Sequence, residues 1–328
     1  MDKKLLGFEN KFWRDWLAHS SGDDWWAQGD NSSAVPKISA PNHIVTGWHD
    51  FFLPRVIRDY NILKELGRGP YLTIGPWTHE KAALPATTEE LIWFKAHVLN
   101  DRKGLRKEPV HIFVMGANEW RDYPTWPPQN MKQQRWYLQA QRGFTDSPPA
   151  VSETDRYVYD PSDPTPSVGG ASTGRPVEDN RKLEARADVL TFTSTVLNED
   201  LEIIGPVAAE LFVKSSLEYT DFFVKLCDVQ PSGRSLNVCD GLQRLFPGKP
   251  APDADGIMKV RVDLWPVAHS FKRGHRIRVQ VSSGAFPRWN RNLGTDELLA
   301  TGISMKKAHQ SIYLGPDHPS GLILPRIP

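Results

Sequence analysis

The architecture of the first part of this chain is set by residues 41–79, PNHIVTGWHDFFLPRVIRDYNILKELGRGPYLTIGPWTH. Two short apolar runs in it, HIVTG and YLTIG, each close on a glycine and suit buried parallel strands. Between them apolar side chains recur at spacings of three and four, which predicts an amphipathic helix through Leu53, Val56, Ile57, Tyr60 and Leu63. Pro54 fits the first turn of this helix and Gly67 fits its end. Strand, helix and strand within about 30 residues predict a βαβ crossover with two parallel strands.

Polar residues of catalytic type follow both predicted strands. Asp50 ends the segment GWHD after the first strand, and His79 ends GPWTH after the second. Ligands bind at the carboxyl ends of parallel strands, so these two side chains can meet there. A carboxylate that accepts an imidazole N–H orients the ring and leaves its other nitrogen as a base. The alternatives are that Asp50 caps the following helix and that His79 is a loop histidine without a role.

The chain changes character near residues 137–180, where we predict a linker and a domain boundary. EELIWFKAHVL (89–99) predicts a further helix and VHIFVMG (110–116) a further strand. Ten of the twelve tryptophans lie at or before Trp136, and only Trp265 and Trp289 follow. The intervening region carries the Pro- and Gly-rich stretch DPSDPTPSVGGASTGRP (160–176).

Beyond about residue 180 the apolar period becomes two, which predicts an all-β domain of sandwich or jelly-roll type. KVRVDL (259–264) and HRIRVQV (275–281) alternate in this way. DFFVKLCDV and LNVCDGL flank QPSGRS, which predicts a hairpin turning at Gly233. Cys227 and Cys239 lie symmetrically about that turn, so a cross-hairpin disulfide is conceivable. Two free thiols are favoured for an intracellular protein.

Composition excludes several classes of protein. The 328 residues suffice for two ordinary domains, with 39% hydrophobic and 24% charged residues. The net charge of +1 gives no reason to expect a nucleic-acid partner. Two cysteines cannot form a disulfide scaffold, and no Cys/His cluster has metal-ligand spacing, so we expect neither a metal nor another cofactor.

Membrane and export signals are absent from the sequence as it stands. No run of about 18 apolar residues predicts a membrane-spanning helix. The start, MDKKLLGFEN, has no apolar core of a signal peptide, so we expect a cytoplasmic protein if Met1 is the true start.

The segment GASTG (170–174) fits the GxSxG pattern of a serine nucleophile elbow, with Ser172 at its centre. An elbow needs a strand before the serine and a helix after it. Here prolines and glycines interrupt both flanks, PTPSVGG and RPVEDN. Ser172 also follows Asp50 and His79, against the chain order of α/β-hydrolases. We therefore predict that Ser172 is not a nucleophile.

Several motifs in one order resemble the cocaine esterase / Xaa-Pro dipeptidyl-peptidase family: GWHD, GPWTH, PVHIFVMGANEWR (109–121), YDPSDPTPSVGG (159–170), ADVLTFTS (187–194) and GHRIRVQVSSGAFPR (274–288). The resemblance covers nearly the whole chain. It implies a partial α/β-hydrolase domain with the end of a helical cap, followed by a C-terminal jelly-roll β-sandwich. The implied division is 1–40 for the cap, which includes FWRDWLAHSSGDDWW (12–26), 41–136 for the hydrolase part, 137–180 for the linker and 181–328 for the jelly roll.

The same resemblance implies that Asp50 and His79 are the aspartate and histidine of a Ser-His-Asp triad. This chain departs from the family at His49, where the family usually has another residue such as Tyr, and at Glu80, where a small residue is common. It also lacks a counterpart of the family's first half, which carries the nucleophilic serine and much of the oxyanion hole.

We therefore predict the C-terminal part of a serine hydrolase that acts on a small-molecule ester, an amide or a short peptide. Its partner would be the missing N-terminal half, and the chain alone is expected to be inactive. A fragment, a misassigned start and one half of a split enzyme all fit this prediction. The alternative is a non-catalytic jelly-roll module that binds carbohydrate, although only Trp265 and Trp289 supply tryptophan to the β-rich part. Trp48 and Trp77 could line a pocket, but core packing is favoured.

Overall fold

The computed structural model describes residues 2–19, 23–171, 174–299 and 301–328. The α-helices are α1 Asp2–Leu6, α2 Lys11–Ala18, α3 Leu53–Glu65, α4 Ala83–Val98 and α5 Arg181–Glu184. Short 3₁₀ helices occupy Asp24–Gly29, Ser32–Lys37, Glu80–Ala82 and Ala140–Arg142. The strands are β1 His43–Gly47, β2 Tyr71–Gly75, β3 Val110–Val114, β4 Glu119–Tyr123, β5 Lys132–Leu138, β6 Phe144–Thr145, β7 Glu153–Tyr159, β8 Leu190–Thr193, β9 Leu201–Gly205, β10 Ala208–Ser215, β11 Thr220–Val229, β12 Ser235–Leu245, β13 Met258–Asp263, β14 Val267–Phe271, β15 Arg276–Ser282, β16 Ala308–Leu314 and β17 Gly321–Ile327.

The predicted βαβ crossover is present and forms the first half of a small sheet. Its strand order is β1-β2-β3-β4, with β1 parallel to β2 and β2 parallel to β3, while β4 returns antiparallel. Helix α3 connects β1 to β2 and buries four of the five side chains of the predicted apolar face, Leu53, Ile57, Tyr60 and Leu63, whereas the fifth, Val56, is half-buried. The helix ends where Gly67 adopts φ +69 and Arg68 donates its N–H to the Leu63 carbonyl. This closure is a Schellman motif, which favours glycine at that position.

Two larger antiparallel sheets make up the rest of the molecule. One has the strand order β14-β9-β17-β10-β16-β7. Three further strands join it: β13 pairs with β10, β5 pairs with β17, and β6 pairs with β5. The other has the order β12-β11-β15-β8. One hydrophobic core joins the two, and it includes Leu211 of β10, Leu226 of β11 and Val279 of β15. The predicted combination of an α/β part with a strand-rich part is confirmed.

The strand-rich part recruits residues that the sequence assigns elsewhere. Strand β5 begins within the range predicted for the hydrolase part and ends in the predicted linker, yet it pairs with β17 over Tyr137↔Gly321 to Lys132↔Arg326. Strand β7 lies inside the predicted linker and pairs with β16. The Pro- and Gly-rich composition begins only at residue 160, after β7 has ended. The division of the chain into domains stays a prediction.

The predicted hairpin is formed by β11 and β12, with Gly233 at φ +82 in its turn. The register does not bring the two cysteines opposite each other, because a bulge places Leu226 opposite Cys239 and Cys227 opposite Asn237. Cys239 lies in the core, whereas the Cys227 thiol accepts a hydrogen bond from Gln280 Nε2 at 3.3 Å. Both thiols are free, and burial raises the pKa of Cys227 to about 12. The suggestion of a cross-hairpin disulfide is therefore wrong, and the favoured alternative of free thiols is confirmed.

The small sheet is tied directly to the strand-rich part just beyond β3. Met115 donates its N–H to the Ala268 carbonyl of β14 at 3.0 Å, and Ser270 donates back to the Met115 carbonyl at 2.8 Å. Gly116 follows with φ +78, and a Cβ there would collide with the Ser270 carbonyl oxygen. The core of the small sheet extends across this junction to Ile204 and Ala268. In the described part of the chain, no helix is long and apolar enough to cross a membrane.

Candidate active site

The turns that follow β1 and β2 lie side by side at one edge of the small sheet. Trp48 donates its N–H to the Gly75 carbonyl at 2.9 Å, and His49 donates to the Trp77 carbonyl at 3.0 Å. The approach is close enough that a Cβ on Gly47 would collide with the Trp77 carbonyl. The glycine that closes β1 therefore allows the two turns to pack together.

This packing brings Asp50 and His79 into contact, as their positions after successive strands predict. His79 Nδ1 lies 3.1 Å from Asp50 Oδ2. Asp50 is buried, and its carboxylate is held by two further donors: Thr46 Oγ1 at 3.2 Å to Oδ2, and the Phe52 N–H at 2.9 Å to Oδ1. A carboxylate fixed in this way can orient the imidazole ring through its Nδ1–H.

The alternative interpretation of Asp50 as the N-cap of α3 is wrong. The N-cap residue is Phe52, which makes no side-chain capping bond. Asp50 lies two residues earlier and divides its carboxylate between the Phe52 N–H, Thr46 and His79.

The His79 ring is held on one side and open on the other. Its side chain is 48% exposed, whereas that of Asp50 is 6% exposed. The rings of Phe51 and Phe52 lie 5.0 and 5.1 Å from the imidazole, between centroids. Within the residues that the structure describes, Nδ1 has its partner in Asp50 and Nε2 makes no hydrogen bond. The ring therefore presents Nε2 to an incoming group.

The neighbouring residues of the two motifs have structural surroundings. Trp48 is buried in the core of the small sheet, and its indole N–H donates to the Phe113 carbonyl at 2.7 Å. Trp77 packs against Trp120, with 5.6 Å between the ring centroids. His49 is buried, and its desolvation lowers its pKa to about 4. Core packing, the favoured interpretation, agrees with the surroundings of Trp48, whereas Trp77 is only half-buried and its neighbour Trp120 is 38% exposed.

An open groove begins at Phe51 and runs along the segment that contains GASTG. It is lined by Phe51, Ser167, Val168, Gly169, Ala171, Arg175, Glu178, Pro287 and Arg288. The lining segment around Val168 is held by Lys225 of β11, whose ammonium donates to the Val168 carbonyl at 2.7 Å and to Asn180 Oδ1 at 2.9 Å. Because the Phe51 ring also lies 5.0 Å from the His79 ring, between centroids, the groove begins next to the imidazole.

Ser172 itself lies outside the described residues, but its flanks are described. Gly169 and Gly170 have φ +66 and +92, and a Cβ on either would collide, with Asn237 and with Arg288 respectively. Up to Ala171 and from Gly174 onward, no strand directly precedes this segment and no helix directly follows it. Glycine at position 170, the first of the motif, is therefore explained by backbone conformation and packing and does not require a nucleophile elbow.

Sequence reasoning missed the residues that support the pair. Thr46 carries a weak signal, because a hydroxyl four residues before Asp50 can return to it across the turn. Phe51 and Phe52 carry none, since their contact with His79 depends on how the turn closes. Lys225 sits in a strand whose residues are all buried, where an unpaired lysine is rarely found.

Comparisons with known proteins agree along the whole chain. Residues 104–323 match the model of the X-Pro dipeptidyl-peptidase C-terminal non-catalytic domain, and residues 2–81 match that of X-Pro dipeptidyl-peptidase of the S15 family. Cocaine esterase of Rhodococcus sp. (strain MB1 Bresler) is 32% identical over 94% of this chain and 60% of its own length.

Solved structures show the same partial coverage. An α-amino acid ester hydrolase gives a TM-score of 0.87 at 25% identity, over 99% of this chain and 62% of its own. An aminopeptidase from the marine sediment archaeon Thaumarchaeota archaeon gives a TM-score of 0.85 at 24% identity, over 100% of this chain and 62% of its own. The chain thus spans about three fifths of the length of these relatives.

Proposed function

Because this chain belongs to the X-Pro dipeptidyl-peptidase family, we propose that it is the C-terminal part of a serine hydrolase that cleaves acyl bonds. Members and relatives of this family are serine hydrolases with ester or peptide substrates. The substrate class we propose is a small-molecule ester, an amide or a short peptide, as for an esterase, an acylase or an Xaa-Pro dipeptidyl-peptidase. In fold terms, residues 41–136 would be part of an α/β-hydrolase domain, residues 1–40 the end of its cap, and the strand-rich part a jelly roll after a linker at 137–180.

The observation that carries this proposal is the contact between His79 Nδ1 and Asp50 Oδ2 at the ends of two adjacent parallel strands. In a serine hydrolase, the histidine removes the proton of the attacking serine and passes it to the leaving group. His79 Nε2 would do this, and Asp50 would hold the ring and stabilise the imidazolium. The exposure of the imidazole and the adjoining groove support a reaction on that side.

We propose that the nucleophilic serine comes from polypeptide outside this chain and that Ser172 does not replace it. The chain covers 60% of the length of the cocaine esterase that it matches. A triad without its nucleophile typically loses about a million-fold in kcat. Because much of the oxyanion hole would also be missing, we expect the separate chain to show no measurable turnover.

The test is an assay of the chain with an activated ester and with an Xaa-Pro amide, alone and with a serine-bearing segment. That segment is the portion of the Rhodococcus cocaine esterase that this chain does not match, supplied as a second polypeptide. Turnover is expected only in the mixture, and His79→Ala should reduce kcat by about a million-fold. His111→Ala is the matched control, because His111 forms another histidine–carboxylate pair, with Asp122, on β3 and β4. Turnover by the chain alone that Ser172→Ala abolishes would contradict the proposal.

The second candidate, a carbohydrate-binding module, has less support from the surface. Trp265 and Trp289, the tryptophans beyond residue 180, lie against Arg288, whose guanidinium is 5.0 Å from the Trp265 ring and 5.8 Å from the Trp289 ring. Both tryptophans are half-buried, and the guanidinium occupies ring surface on which a sugar would stack. Specific retention on a glycan array that Trp265→Ala removes would revive this function.

A further inference from the structure

A cleft in the strand-rich part contains two hydrogen-bond donors that lack an acceptor. It lies between the connection from β8 to β9 and the sheet that contains β5, β9 and β17, and its volume is about 290 Å³. Trp136 of β5 and Arg326 of β17 both line it. Their atoms Nε1 and Nη1 are shielded from solvent, and neither has a hydrogen-bond partner among the described residues. A cleft of this volume suits a ligand smaller than most drug-sized molecules.

The strand register explains how an arginine comes to line this cleft beside a tryptophan. Strand β17 pairs with β5 so that Leu322 lies opposite Trp136, and Arg326 lies opposite Lys132. Directly opposed residues share one face of a sheet, and so do residues two apart on a strand. Arg326 is therefore on the same face as Leu322 and Trp136, which belong to the hydrophobic core. Arginine on such a face is rarely left without a partner.

The charge of Arg326 is not matched by an ion pair. Burial lowers its pKa, while the nearby carboxylates of Glu199 and Asp146 favour its charged form. Both acids line the same cleft and are exposed, yet neither hydrogen-bonds to the guanidinium. Asp146 Oδ2 instead accepts a hydrogen bond from Gln134 Nε2 at 3.2 Å. Charges of both signs thus line one cleft without closing on each other.

The chemistry of these groups defines the ligand that would complete them. A guanidinium and an indole N–H can only donate, and the planar guanidinium matches a carboxylate through two parallel bonds. The two exposed acids favour a cation at the same time. Leu197 and Leu201 supply apolar lining between these polar groups. A small molecule with a carboxylate, an ammonium group and a short apolar side chain satisfies all of them.

We propose that this cleft is a binding site for a small zwitterion, an apolar α-amino acid. Its carboxylate would accept from Arg326 Nη1 and Trp136 Nε1, and its ammonium would lie toward Glu199 and Asp146. Among the described residues, none lines both this cleft and the groove beside Phe51. The site is therefore separate from the His79 imidazole, and it does not depend on the hydrolase function proposed above.

The experiment titrates L-leucine into the isotopically labelled full chain and follows the tryptophan indole N–H signals by NMR. The Trp136 signal is assigned by its loss in Trp136→Phe, which keeps an aromatic ring but removes the donor. We expect a saturable shift of this signal. Two analogues test the two charges, because 4-methylpentanoate lacks the ammonium group and 3-methylbutylamine lacks the carboxylate. Each analogue should bind at least tenfold more weakly than L-leucine.

Three variants test the side chains. Arg326→Met removes the guanidinium but keeps an apolar stem, so we expect a folded chain that binds L-leucine at least tenfold more weakly. Circular dichroism checks the fold. Glu199→Gln should weaken binding at least threefold, and its exposed position makes unfolding no explanation for the loss. Arg156→Gln is the matched control, because Arg156 is an exposed arginine on β7 of the same sheet, and its binding should be unchanged.

Each outcome supports or overturns the site. Saturable binding of L-leucine that Arg326→Met and Glu199→Gln weaken, and Arg156→Gln does not, supports it. An indole signal that L-leucine leaves unmoved, or binding indifferent to Arg326→Met, overturns it. Equal binding of 4-methylpentanoate overturns the assignment to a zwitterion. A signal that moves only when the unmatched portion of the Rhodococcus cocaine esterase is added also overturns the site, and assigns these donors to a protein contact.

Discussion

Gly170 and Gly174 occupy equivalent places in GASTG but have different surroundings. Gly170 adopts φ +92, and a Cβ there would meet Arg288 and Asp240, which form an ion pair at 2.7 Å. A Cβ on Gly174 would meet nothing within 4 Å. The first glycine is thus required by conformation and by packing, whereas the position of the last leaves space for a Cβ.

We predict that Gly170→Ala lowers the free energy of unfolding by about 1–3 kcal/mol, because a side chain is strained at positive φ and would displace the guanidinium. Gly174→Ala should change stability by less than about 0.5 kcal/mol, as surface substitutions usually do. Urea denaturation of both variants checks this. Equal effects at the two glycines would show that the packing of Gly170 is not what the motif requires.

The pairing of Asp50 with His79 could be predicted from sequence because it follows from topology. Two parallel strands put their carboxyl ends at one edge, whatever the side chains in between. The support from Thr46 and Phe52 could not be predicted, since it depends on the path of the chain over residues 47–53. Whether the pair is catalytic stays a prediction until turnover is measured.

At the scale of elements, strand β11 does more than pair with its neighbours. The side chain of its Lys225 links the strand to the segment that follows residue 165. Desolvation lowers the pKa of this buried lysine, and its ammonium bonds the Val168 carbonyl and Asn180 Oδ1. The groove wall beside Phe51 therefore depends on a side chain from the strand-rich part.

We predict that Lys225→Met leaves the sheet folded but loosens residues 168–180. The substitution keeps the length and apolar character of the stem while leaving two buried acceptors unsatisfied, which costs about 1–3 kcal/mol each. Faster amide hydrogen exchange confined to 168–180 is the expected readout. Lys214→Met is the control, because Lys214 is exposed and bonds only the Asp255 carbonyl through its ammonium at 3.2 Å. Unchanged exchange in the Lys225 variant would contradict this role.

Local elements were predictable from sequence, and distant pairings were not. The helix α3 follows from spacing, proline and glycine signals within 15 residues. Strand β5 pairs with β17 over a separation such as Tyr137↔Gly321, which no local pattern encodes.

At the scale of the whole molecule, two buried histidines couple stability to pH. Burial lowers the pKa of His43 and of His49 to about 4, from an ordinary value of 6.5. For His43 the nearby Arg106 and His111 act in the same direction and Glu89 opposes them, while Asp240 opposes the shift of His49. The unfolded chain therefore binds more protons than the folded one between these pH values.

We predict that stability is fully present above pH 6.5 and falls as the pH approaches 4, by an amount on the order of 3 kcal/mol per histidine at pH 4. Urea midpoints between pH 7.5 and 4.5 measure the slope. His43→Gln and His49→Gln should each reduce it, because glutamine cannot take up the proton. A slope that both variants leave unchanged would place the pH dependence elsewhere in the molecule.

The two hydrogen bonds between Met115 and β14 have a consequence for motion. Many hydrolases with several domains admit substrate by swinging one domain against another around a flexible connection. Here β3 passes straight into a bonded bridge with β14, with Gly116 packed against Ser270 and a shared core beneath. This bonded connection cannot act as a hinge, so we expect the small sheet and β14 to move as one body.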